Sequence, residues 1–493
     1  MNYETVIGLE VHAQLCTRSK MFCRCSAEYA DDPPNTHVCP VCLGMPGVLP
    51  AINRQAVEYT IMTALALNCS ISEYTKFDRK NYPYPDLMKG YQISQFDAPF
   101  GYGGHLTIEV DGKKKEIGIT RVHLEEDVAK LLHRTSPGEG AYSLIDVNRS
   151  GVPLMEVVGE PDMSSPEEAR QYLIELRKIL RYLDVSTANM EEGSFRCDAN
   201  ISLCPEGSPE TLAKAEVKNM NSYRAVYRAL EYEVERQTRA ADAGEKLIQE
   251  TRGWIEEKGI TVSQRSKEYA HDYRYFPEPD LPPLTMSRDR VEEIRSRLPE
   301  LPDARRRRFM DEFGLPLYDA NLLTISREMA DYEEEFVAAA TGAAENPPRA
   351  ESAKLGSNWI LGEVSRIINA NNMDITRFGQ KVSPNRLARL TALNSAGTIN
   401  AATAKEMLEE MFTSGKDAET LLKEGDRGQI SDTGQIEEAA AQAIEANAQA
   451  VADYKAGKEQ AVKFLVGQVM RVTRGRANPQ LVSELIKEKL EKE

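Results

Sequence analysis

Four cysteines near the start of the chain have the type and spacing of metal ligands. Cys23 and Cys25 form one pair, and Cys39 and Cys42 form a second pair in which a proline and a glycine favour a turn. Four thiolates can close a tetrahedron around zinc, and the bonds order a loop that has little apolar core of its own. We therefore predict a structural zinc site, because a closed thiolate shell leaves no open position for catalysis. The alternative is four unpaired buried cysteines.

Acids, an imidazole and cations alternate with apolar residues in several short segments, as in a β-strand, whose side chains repeat every two residues. Glu10 and His12 share one side of the first such segment. In the segment 192–201 the predicted buried side holds Phe195, Cys197, Ala199 and Ile201, and the polar side holds Glu192, Ser194, Arg196, Asp198 and Asn200. Two more polar sides hold Arg121, His123, Glu125 and Asp127, and Glu216 with Lys218.

These polar sides predict one of two surfaces. Carboxylate oxygens suit magnesium, and neighbouring cations suit the phosphates that magnesium accompanies. A solvated sheet face held by ion pairs is the alternative, and the pattern by itself favours neither. The chain has no P-loop motif and no G-x-G-x-x-G turn. If a nucleotide binds, a sheet surface and metal ions must therefore hold it.

The elements that position these side chains begin with antiparallel strands. Alternation on both sides of Asp111-Gly112 predicts a two-residue hairpin. The polar set that begins at Arg121 is in phase with the apolar residues Ile117 and Ile119. A bulge, or a strand that leaves the core, is therefore expected between them.

We expect helices to pack on this sheet and, further along the sequence, to make up most of the C-terminal half. Ser165 can cap a helix that starts at Pro166 and carries apolar residues at helical spacing up to Leu183. Four prolines within 275–283 forbid a helix there and favour an extended connector. After Val291 strand signals almost vanish, so the predicted class is α+β with a helical C-terminal half.

The composition of the 493 residues fits a globular protein of roughly three domains at about 150 residues each. Lys and Arg number 61 against 77 Asp and Glu, and the net charge of −16 opposes non-specific binding to nucleic acid or to anionic membranes. No apolar run is long enough for a membrane helix, and the first residues do not resemble a signal peptide. We expect a cytoplasmic protein, in which eight cysteines are too sparse for a disulfide scaffold.

Because the net charge is negative, a polyanionic partner such as nucleic acid would have to bind to local basic patches. The run Arg305–Arg308 is one such patch. A second patch holds Lys463, Arg471, Arg474 and Arg476, and helical spacing puts Arg471 and Arg474 on one face. For each patch, a solvated helix face is the commoner explanation.

Long blocks spread over the chain resemble the GatB/GatE family, the B subunits of the aspartyl/glutamyl-tRNA(Asn/Gln) amidotransferases. The N-terminal blocks are 6–12, the cysteine knuckle with 43–47, 79–82, 90–95, 148–154, 191–200 and 272–277. The C-terminal blocks are 358–363, 453–458 and 478–482. Together they cover essentially the whole chain. Pro83 and Met88 stand where the family more usually has an aromatic residue and a proline, which affects only that loop.

The resemblance implies an α+β chain in three parts. Residues 1–292 would form a catalytic cradle with an antiparallel sheet, related to the glutamine synthetase catalytic fold and carrying the zinc knuckle at 23–42. Residues 293–406 would form an all-α domain. Residues 407–493 would form an all-α, YqeY-like tail that contacts tRNA.

The resemblance also implies a reaction. The side-chain carboxylate of Glu-tRNA(Gln), of Asp-tRNA(Asn) or of both would be phosphorylated by ATP, and ammonia would then displace phosphate to leave the amide. Activation is needed because a carboxylate resists nucleophiles, whereas an acyl phosphate offers an electrophilic carbon and a stable leaving anion. The chain lacks an amidase signature. An A-type amidase (glutaminase) subunit would therefore supply ammonia, and a small C-type subunit would complete a heterotrimer.

Site residues follow from the same resemblance. The magnesium ligands would be Glu10, His12, Glu125 and Glu192. Catalysis would also involve the cations Arg196 and Lys218, which neutralise phosphates or the acyl phosphate. Nucleotide contacts would come from Arg79, Lys80, Arg149, Asp198 and Asn200. The implied cofactors are ATP, Mg²⁺ and structural Zn²⁺.

Two other functions fit parts of the pattern. A zinc-containing tRNA-binding scaffold without catalysis of its own would leave the acidic cluster structural. An amide ligase that acts on a free small acid would need no tRNA-binding tail.

Overall fold

The computed structural model describes residues 2–136, 140–208, 210–266, 273–341, 347–424, 433–455, 460–473, 477 and 479–492. Of the sequence-based predictions, the basic residues Arg474 and Arg476 and part of the 272–277, 453–458 and 478–482 blocks lie outside this range. The chain divides into two units, Met1–Leu301 and Pro302–Glu493. Each unit is described by itself below.

The first unit contains all sixteen described strands and the first four helices. The strands are β1 (Tyr3–Gln14), β2 (Ser70–Ile71), β3 (Tyr74–Thr75), β4 (Asp78–Asn81), β5 (Tyr91–Ser94), β6 (Gly101–Val110), β7 (Lys113–Glu126), β8 (Lys130–Ser136), β9 (Gly140–Asp146), β10 (Pro153–Gly159), β11 (Phe195–Pro205), β12 (Ala215–Lys218), β13 (Glu250–Ile255), β14 (Ile260–Ser266), β15 (Phe276–Pro277) and β16 (Leu284–Thr285). The helices are α1 (Arg54–Ala66), α2 (Pro166–Tyr182), α3 (Tyr223–Asp242) and α4 (Arg288–Ser296), with a 3₁₀ turn at Val147–Arg149.

The second unit is helical throughout its described part. Its helices are α5 (Pro302–Asp311), α6 (Leu317–Leu323), α7 (Arg327–Thr341), α8 (Arg349–Trp359), α9 (Ser365–Ala370), α10 (Ile375–Lys381), α11 (Pro384–Ser395), α12 (Ala401–Ser414), α13 (Ala418–Glu424), α14 (Thr433–Ala446), α15 (Ala448–Lys455), α16 (Gln460–Val472) and α17 (Pro479–Lys492). A π-helical turn at Ile360–Val364 joins α8 to α9. The predicted α+β class with a helical C-terminal half is confirmed.

A nine-stranded sheet organises the first unit, in the order β14-β13-β12-β11-β1-β10-β7-β6-β2. Neighbouring strands are antiparallel except for β12 and β13. The predicted hairpin is present, since β6 and β7 are joined at Asp111 and Gly112, both of which have positive φ. The prediction of antiparallel sheet is therefore confirmed, with one parallel pair, β12–β13, next to the edge strand β14.

One face of this sheet is apolar and is covered by helices. On β1, Ile7, Leu9 and Val11 are fully buried, and the residues between them point to the other face. The helix α2 packs against β6, and α3 packs against β11. Ser165 caps α2 as predicted, because its hydroxyl accepts a hydrogen bond from the backbone N–H of Glu168 at 3.1 Å.

The expected irregularity in β7 is a bulge at Thr120. Ile119 pairs with Gly159 and Arg121 pairs with Val158, so one extra residue of β7 lies between two consecutive residues of β10. The bulge changes the phase of the strand. Ile119 can therefore be buried in the core although Arg121 and the residues that follow it in phase carry polar side chains.

A small three-stranded sheet, β15-β4-β5, lies against β7. The backbone N–H of Ile93 in β5 donates to Glu126 at 3.0 Å, and the side-chain oxygen of Gln95 accepts from the backbone N–H of Leu124 at 3.0 Å. The extended connector predicted at 275–283 supplies β15 and leads to β16. The polar face of the large sheet is thus bounded on one side by β4, β5 and β15.

The second unit holds two separate hydrophobic clusters, one within residues 309–421 and one within residues 436–490. The predicted border between residues 406 and 407 falls inside α12, whose Met407 is fully buried in the first of these clusters. A truncation after Glu424 would separate the two clusters. The division of the chain into three domains remains a prediction.

The contact between α7 and α8 contains a buried carboxyl group without a partner. Glu333 is fully buried, and neither of its carboxyl oxygens has a hydrogen-bond partner in the described structure. Burial, together with the nearby charges of Asp319 and Glu334, holds the pKa of this carboxyl well above its ordinary value. A Cβ atom at Gly356 would come within 2.7 Å of Glu333 Oε2, so the close approach of the two helices requires glycine there.

Arg305, Arg306 and Arg308 of the basic run are held in ion pairs within the second unit. Arg305 is buried and contacts Asp331 at 2.6 Å and Glu334 at 2.9 Å, and Arg308 also contacts Glu334. These contacts favour the structural explanation for this patch.

Among the described helices, none combines the length and the apolar composition that a membrane-spanning helix needs.

Candidate active site

Two histidines and a glutamate stand side by side on the polar face of the large sheet. Glu156 of β10 is paired in register with His12 of β1 on one side and with His123 of β7 on the other. The carboxylate Oε2 lies 3.5 Å from Nε2 of His12 and 3.0 Å from Nε2 of His123. Directly opposed residues on neighbouring strands project from the same face, so the order β1-β10-β7 produces this row.

Glu125 joins the row from β7, two residues after His123. Its carboxylate lies 3.6 Å from Nε2 of His12 and 3.8 Å from Nε2 of His123. The hydroxyl of Ser94 in β5 donates a hydrogen bond to Glu125 at 3.0 Å. Glu125, Glu156 and His123 are buried, and His12 remains half-buried at the open side. We call His12, His123, Glu125 and Glu156 the carboxylate–histidine group.

The four side chains set one another's charge. Burial by itself would lower the pKa of His12, but the carboxylates of Glu156 and Glu125 raise it to about 9. The pKa of His123 is also raised, by Glu156 and Glu125 acting against burial. Burial by itself would raise the pKa of Glu156, but the two imidazoles lower it, so the pKa lies well below its ordinary value. These shifts favour the charged forms of His12, His123 and Glu156.

This group also offers a set of metal ligands. One donor atom from each of His12, Glu125 and Glu156 lies within 4.8 Å of the others. Two carboxylates fit a magnesium ion, which usually takes only one or two carboxylates from the protein, and His12 can join them as a ligand only after it has lost its proton. The donor set of the described residues therefore fits the predicted metal.

Glu10 begins a second polar row on the neighbouring strands. Its carboxylate accepts a hydrogen bond from the amide of Asn200 in β11 at 3.0 Å. Asp198 lies opposite Glu10 in the β1–β11 register and is paired with Lys218, which also lies 3.2 Å from Glu216. The structure thus places four of the predicted residues on one face, beside His12.

Two of the predicted cations converge on Asp127 at the end of β7. Arg196 donates to this buried carboxylate at 2.9 Å, and Gln14 donates to it at 2.7 Å. The Nε atom of Arg149 lies 3.7 Å from the carboxylate of Asp127. The same guanidinium donates to the backbone carbonyls of Val128 and Ala129. Arg196 and Arg149 are therefore held by the protein itself.

The neighbours Arg79 and Lys80 point in different directions, as expected for consecutive residues of a strand. Arg79 is bound by two hydrogen bonds, at 2.6 and 2.8 Å, to the buried carboxylate of Glu278. Lys80 faces the site: its ammonium lies 5.1 Å from the ring of Tyr273, and the charge of Glu125 raises its pKa against the effect of burial. Of this pair, Lys80 is the one placed to meet a ligand at the carboxylate–histidine group.

Glu192 lies apart from the sheet face that carries the other predicted metal ligands, of which His12 and Glu125, but not Glu10, belong to the clustered donors. It is exposed, in the turn that precedes β11, and the strand begins only at Phe195. The residue that sequence reasoning missed is Glu156. Glu156 is the one charged residue in the apolar run 152–158. A buried charge in a folded protein needs a partner, so this position could have indicated a site residue. A role for Glu192 in metal binding remains a prediction.

The four N-terminal cysteines come together as the spacing predicts. One sulfur from each of Cys23, Cys25, Cys39 and Cys42 lies within 4.8 Å of the others. A hydrogen bond from Cys23 lowers the pKa of Cys42 to about 5, against burial. The fully buried ammonium of Lys20 lies beside them and donates to the carbonyl of His37 at 2.8 Å. Four thiol groups next to a buried cation fit a thiolate-bound metal.

Comparison with known proteins identifies the family of this chain. Residues 5–292 match the GatB/GatE catalytic domain, and residues 344–490 match the GatB domain. An aspartyl/glutamyl-tRNA(Asn/Gln) amidotransferase B subunit of Dehalococcoides mccartyi is 60% identical over 489 residues, 99% of both chains. The proteins of that name from Carboxydothermus hydrogenoformans and Moorella thermoacetica are 54% and 56% identical, over 99% of this chain and 99% and 100% of their own. This chain belongs to the GatB/GatE family, the B subunits of the aspartyl/glutamyl-tRNA(Asn/Gln) amidotransferases.

Proposed function

We propose that this chain is the kinase and amide-transfer component of a tRNA-dependent amidotransferase. It would phosphorylate the side-chain carboxylate of Glu-tRNA(Gln) or Asp-tRNA(Asn) with ATP and would then transfer ammonia to the activated carbon. The observation that carries this proposal is the carboxylate–histidine group, half open on the polar sheet face of a chain from this family.

The residues fit a phosphoryl transfer. The substrate carboxylate oxygen would attack the γ-phosphorus of ATP, and the bond to the β-γ bridging oxygen would break to release ADP. Glu125, Glu156 and deprotonated His12 would hold magnesium, which when bound would offset the negative charge of the phosphates. Lys80 and Lys218 would supply positive charge for the phosphates and the acyl phosphate.

Amide formation would follow on the same face. Ammonia would add to the acyl carbon, the carbon–oxygen bond to phosphate would break, and the nitrogen would lose a proton. The departing phosphate would accept that proton, because Glu125 and Glu156 are assigned to the metal and their lowered pKa values make them weak bases. The ammonia would come from an A-type amidase subunit, with a small C-type subunit in the same complex, because the relatives are named as the B subunit of an amidotransferase.

Zinc would have a structural role in the same unit. The four cysteines would hold it as a closed shell, away from the reacting groups. The backbone N–H of Met21, next to Lys20, donates to the carbonyl of Gly151 at 2.6 Å, which ties the cysteine loop to the segment that carries Arg149. The metal would thus help to position that segment.

One substitution experiment tests the proposal directly. In the complex with its partner subunits, Glu125→Ala or Glu10→Ala is expected to abolish ATP-dependent amide formation and to leave glutaminase activity in the partner. Amide formation retained at the level of the unsubstituted complex would count against the site. Glu116→Gln, on an exposed part of β7, is the matched control.

The two other functions predict different results. A tRNA-binding scaffold would show no ATP hydrolysis that depends on charged tRNA in the assembled complex. A ligase for a free small acid would keep its activity when the chain is cut after Glu424, whereas the proposed function predicts weaker use of charged tRNA. Measurement of phosphate release with both charged tRNAs, before and after truncation, separates the three.

A further inference from the structure

The loop between the two cysteine pairs lies against one short segment of the same unit. We call residues 33–37 the inter-cysteine loop and residues 145–152, which contain the 3₁₀ turn, the turn segment. The side-chain oxygen of Asn35 accepts a hydrogen bond from the backbone N–H of Val147 at 2.8 Å. The side-chain amide of Asn35 donates to the carbonyl of Ile145 at 3.2 Å. One side chain of the loop therefore binds the backbone of the turn segment twice.

Asn148 makes the reverse contact, from the turn segment to the loop. It is fully buried, its side-chain oxygen accepts from the backbone N–H of His37 at 2.8 Å, and its amide donates to the carbonyl of Pro33 at 2.8 Å. The fully buried ammonium of Lys20 donates to the carbonyls of His37, at 2.8 Å, and Val147, at 3.4 Å. Buried polar groups are costly without partners, so these bonds favour one relative position of the loop and the segment.

The turn segment holds Asp127 through both its backbone and its side chain. The backbone N–H of Gly151 donates to the carbonyl of Asp127 at 2.8 Å, and the backbone N–H of Asp127 donates to the carbonyl of Val152 at 2.8 Å. The guanidinium of Arg149 lies 3.7 Å from the Asp127 carboxylate. The same carboxylate accepts the hydrogen bond from Arg196 at 2.9 Å. The position of Arg196 therefore depends on Asp127, and that of Asp127 on the turn segment.

Arg196 extends these contacts to the polar face of the large sheet. It lies directly opposite His12 in the β1–β11 register, and opposed residues on neighbouring strands project from the same face. A continuous series of hydrogen bonds and ion pairs thus runs from the inter-cysteine loop to a cation beside the carboxylate–histidine group. Such a series can couple two sites when both depend on the same packed segment.

The cysteine cluster fixes the other end of this series. Cys25 precedes the inter-cysteine loop and Cys39 follows it, and both belong to the four clustered thiols. The carbonyl of Cys25 also accepts from the backbone N–H of Lys20 at 2.9 Å. Coordination of a metal by both cysteines would hold the two ends of the loop.

We propose that Asn35 and Asn148 are positioning residues: the inter-cysteine loop fixes the turn segment and, through Asp127, the guanidinium of Arg196 beside the carboxylate–histidine group. The catalytic part of this inference rests on the proposed function, which it deepens. It links the cysteine cluster to the reaction rate, because a small displacement of a charged group at the reacting face slows the chemistry.

The test uses the complete complex with its partner subunits. Asn35→Gly removes the two side-chain bonds and keeps the backbone, because Asn35 has a positive φ of 61° that glycine adopts without strain. Asn148→Ala removes the bonds made from the turn segment. Thr36→Ala is the matched control, since the Thr36 hydroxyl donates to the carbonyl of Pro33 at 2.7 Å, inside the loop itself.

Hydrogen exchange with mass spectrometry tests the structural part. The backbone amides of residues 145–152 are expected to exchange at least about fivefold faster in Asn35→Gly and in Asn148→Ala, and at the unsubstituted rate in Thr36→Ala. Zinc content, measured by atomic emission, should be unchanged in Asn35→Gly because all four cysteines remain. Removal of zinc from the unsubstituted complex with a chelator should speed exchange over the same residues.

Steady-state kinetics test whether the effect passes through Arg196. Asn35→Gly is expected to lower kcat for ATP-dependent amide formation by about 10-fold. In an Arg196→Met background, Asn35→Gly is expected to change kcat by less than about twofold, because the group that the loop positions is gone. A loop that only stabilised the fold would lower kcat by the same factor in both backgrounds.

Two results would overturn the inference: unchanged exchange at 145–152 in Asn35→Gly, or an equal loss of kcat from Asn35→Gly with and without Arg196. An unsubstituted complex that forms no amide from ATP and charged tRNA would refute the proposed function, and the exchange measurements would still show whether the loop holds the turn segment. An active complex in which Asn35→Gly keeps the full kcat would refute this inference alone.

Discussion

Nε2 of His123 lies 3.0 Å from Oε2 of Glu156, across the β7–β10 pair, and both side chains are almost fully buried. This contact fixes the carboxylate of Glu156 in front of His12, which is the more exposed of the two histidines. The buried imidazole of His123 thus orients the carboxylate of Glu156, and that carboxylate orients the more exposed imidazole of His12.

Glu156→Gln is expected to lower ATP-dependent amide formation by about 10- to 100-fold while the fold is kept, because the amide preserves the size of the side chain but not its charge. Amide formation is measured in the reconstituted complex, with glutaminase activity of the partner as the internal reference. Glu116→Gln, on the same sheet but exposed, should be silent. If the complex with Glu156→Gln were as active as the unsubstituted complex, Glu156 would have no role in the reaction.

Loss of one cysteine ligand is expected to release metal and to lower stability. Cys39→Ser should lose the bound zinc, lower the Tm by several degrees and expose the 23–42 loop to protease, because the loop has little apolar core of its own. Metal content is measured by atomic emission together with a thermal melt. Cys16→Ser changes an exposed cysteine outside the cluster and should keep both properties. Full zinc content in Cys39→Ser would contradict the four-thiolate site.

Affinity for tRNA is expected to fall steeply with salt. A chain with a net charge of −16 must bind tRNA through local cationic patches, so phosphate contacts and their released counterions dominate the free energy of binding. Raising the salt from about 50 to about 200 mM should weaken binding at least about 10-fold. The exposed Lys463 and Arg471 of α16 are the described cations of the predicted tail patch. A flat salt profile over this range would speak against phosphate-led binding.

The second unit is expected to lose stability as pH rises, because of Glu333. Its folded-state pKa is raised, so its contribution is fully present below the ordinary carboxyl pKa and is lost as pH rises through the folded-state pKa. The slope for one proton is about 1.4 kcal/mol per pH unit in that window. Asp319 and Glu334 add to the repulsion. Glu333→Gln cannot ionise and should remove this part of the slope.

Urea unfolding between pH 5 and pH 8 measures this effect. The chain has two tryptophans, so a Trp254→Phe background leaves the fluorescence of the buried Trp359 on α8 as the reporter of the second unit. Glu335→Gln, on an exposed position of the same helix, should keep the slope of the unsubstituted chain. Identical slopes for Glu333→Gln and Glu335→Gln would show that Glu333 does not carry the pH dependence.

Much of the local structure could be predicted because it depends on neighbours in the sequence. The Asp111-Gly112 hairpin, the Ser165 cap and the alternation that buries Cys197 and places Asp198 on the polar face all follow from spacing over a few residues. Glu10 and His12 could be placed on one face for the same reason. The bulge before Arg121 was also visible as a conflict of phase.

The rest of the site depends on which strands become neighbours, and spacing does not encode that order. β10 is buried on nearly all positions and has no polar alternation, so Glu156 did not stand out as part of a polar face. Arg79 was expected to meet phosphates, but a carboxylate 199 residues further along the chain, Glu278, binds it. Long-range partners of this kind decide which charges remain available for a ligand.

The central claim is that the carboxylate–histidine group supports phosphorylation of the substrate's side-chain carboxylate. The most direct test traces a carboxylate oxygen of the substrate into the released phosphate. Glutamyl-tRNA labelled with ¹⁸O in its side-chain carboxylate is converted by the reconstituted complex with ATP and glutamine, and the released phosphate is analysed by mass spectrometry. We expect one labelled oxygen in the phosphate for each amide formed, and no labelled phosphate with Glu125→Ala. Amide formed with no label in the phosphate would contradict the account.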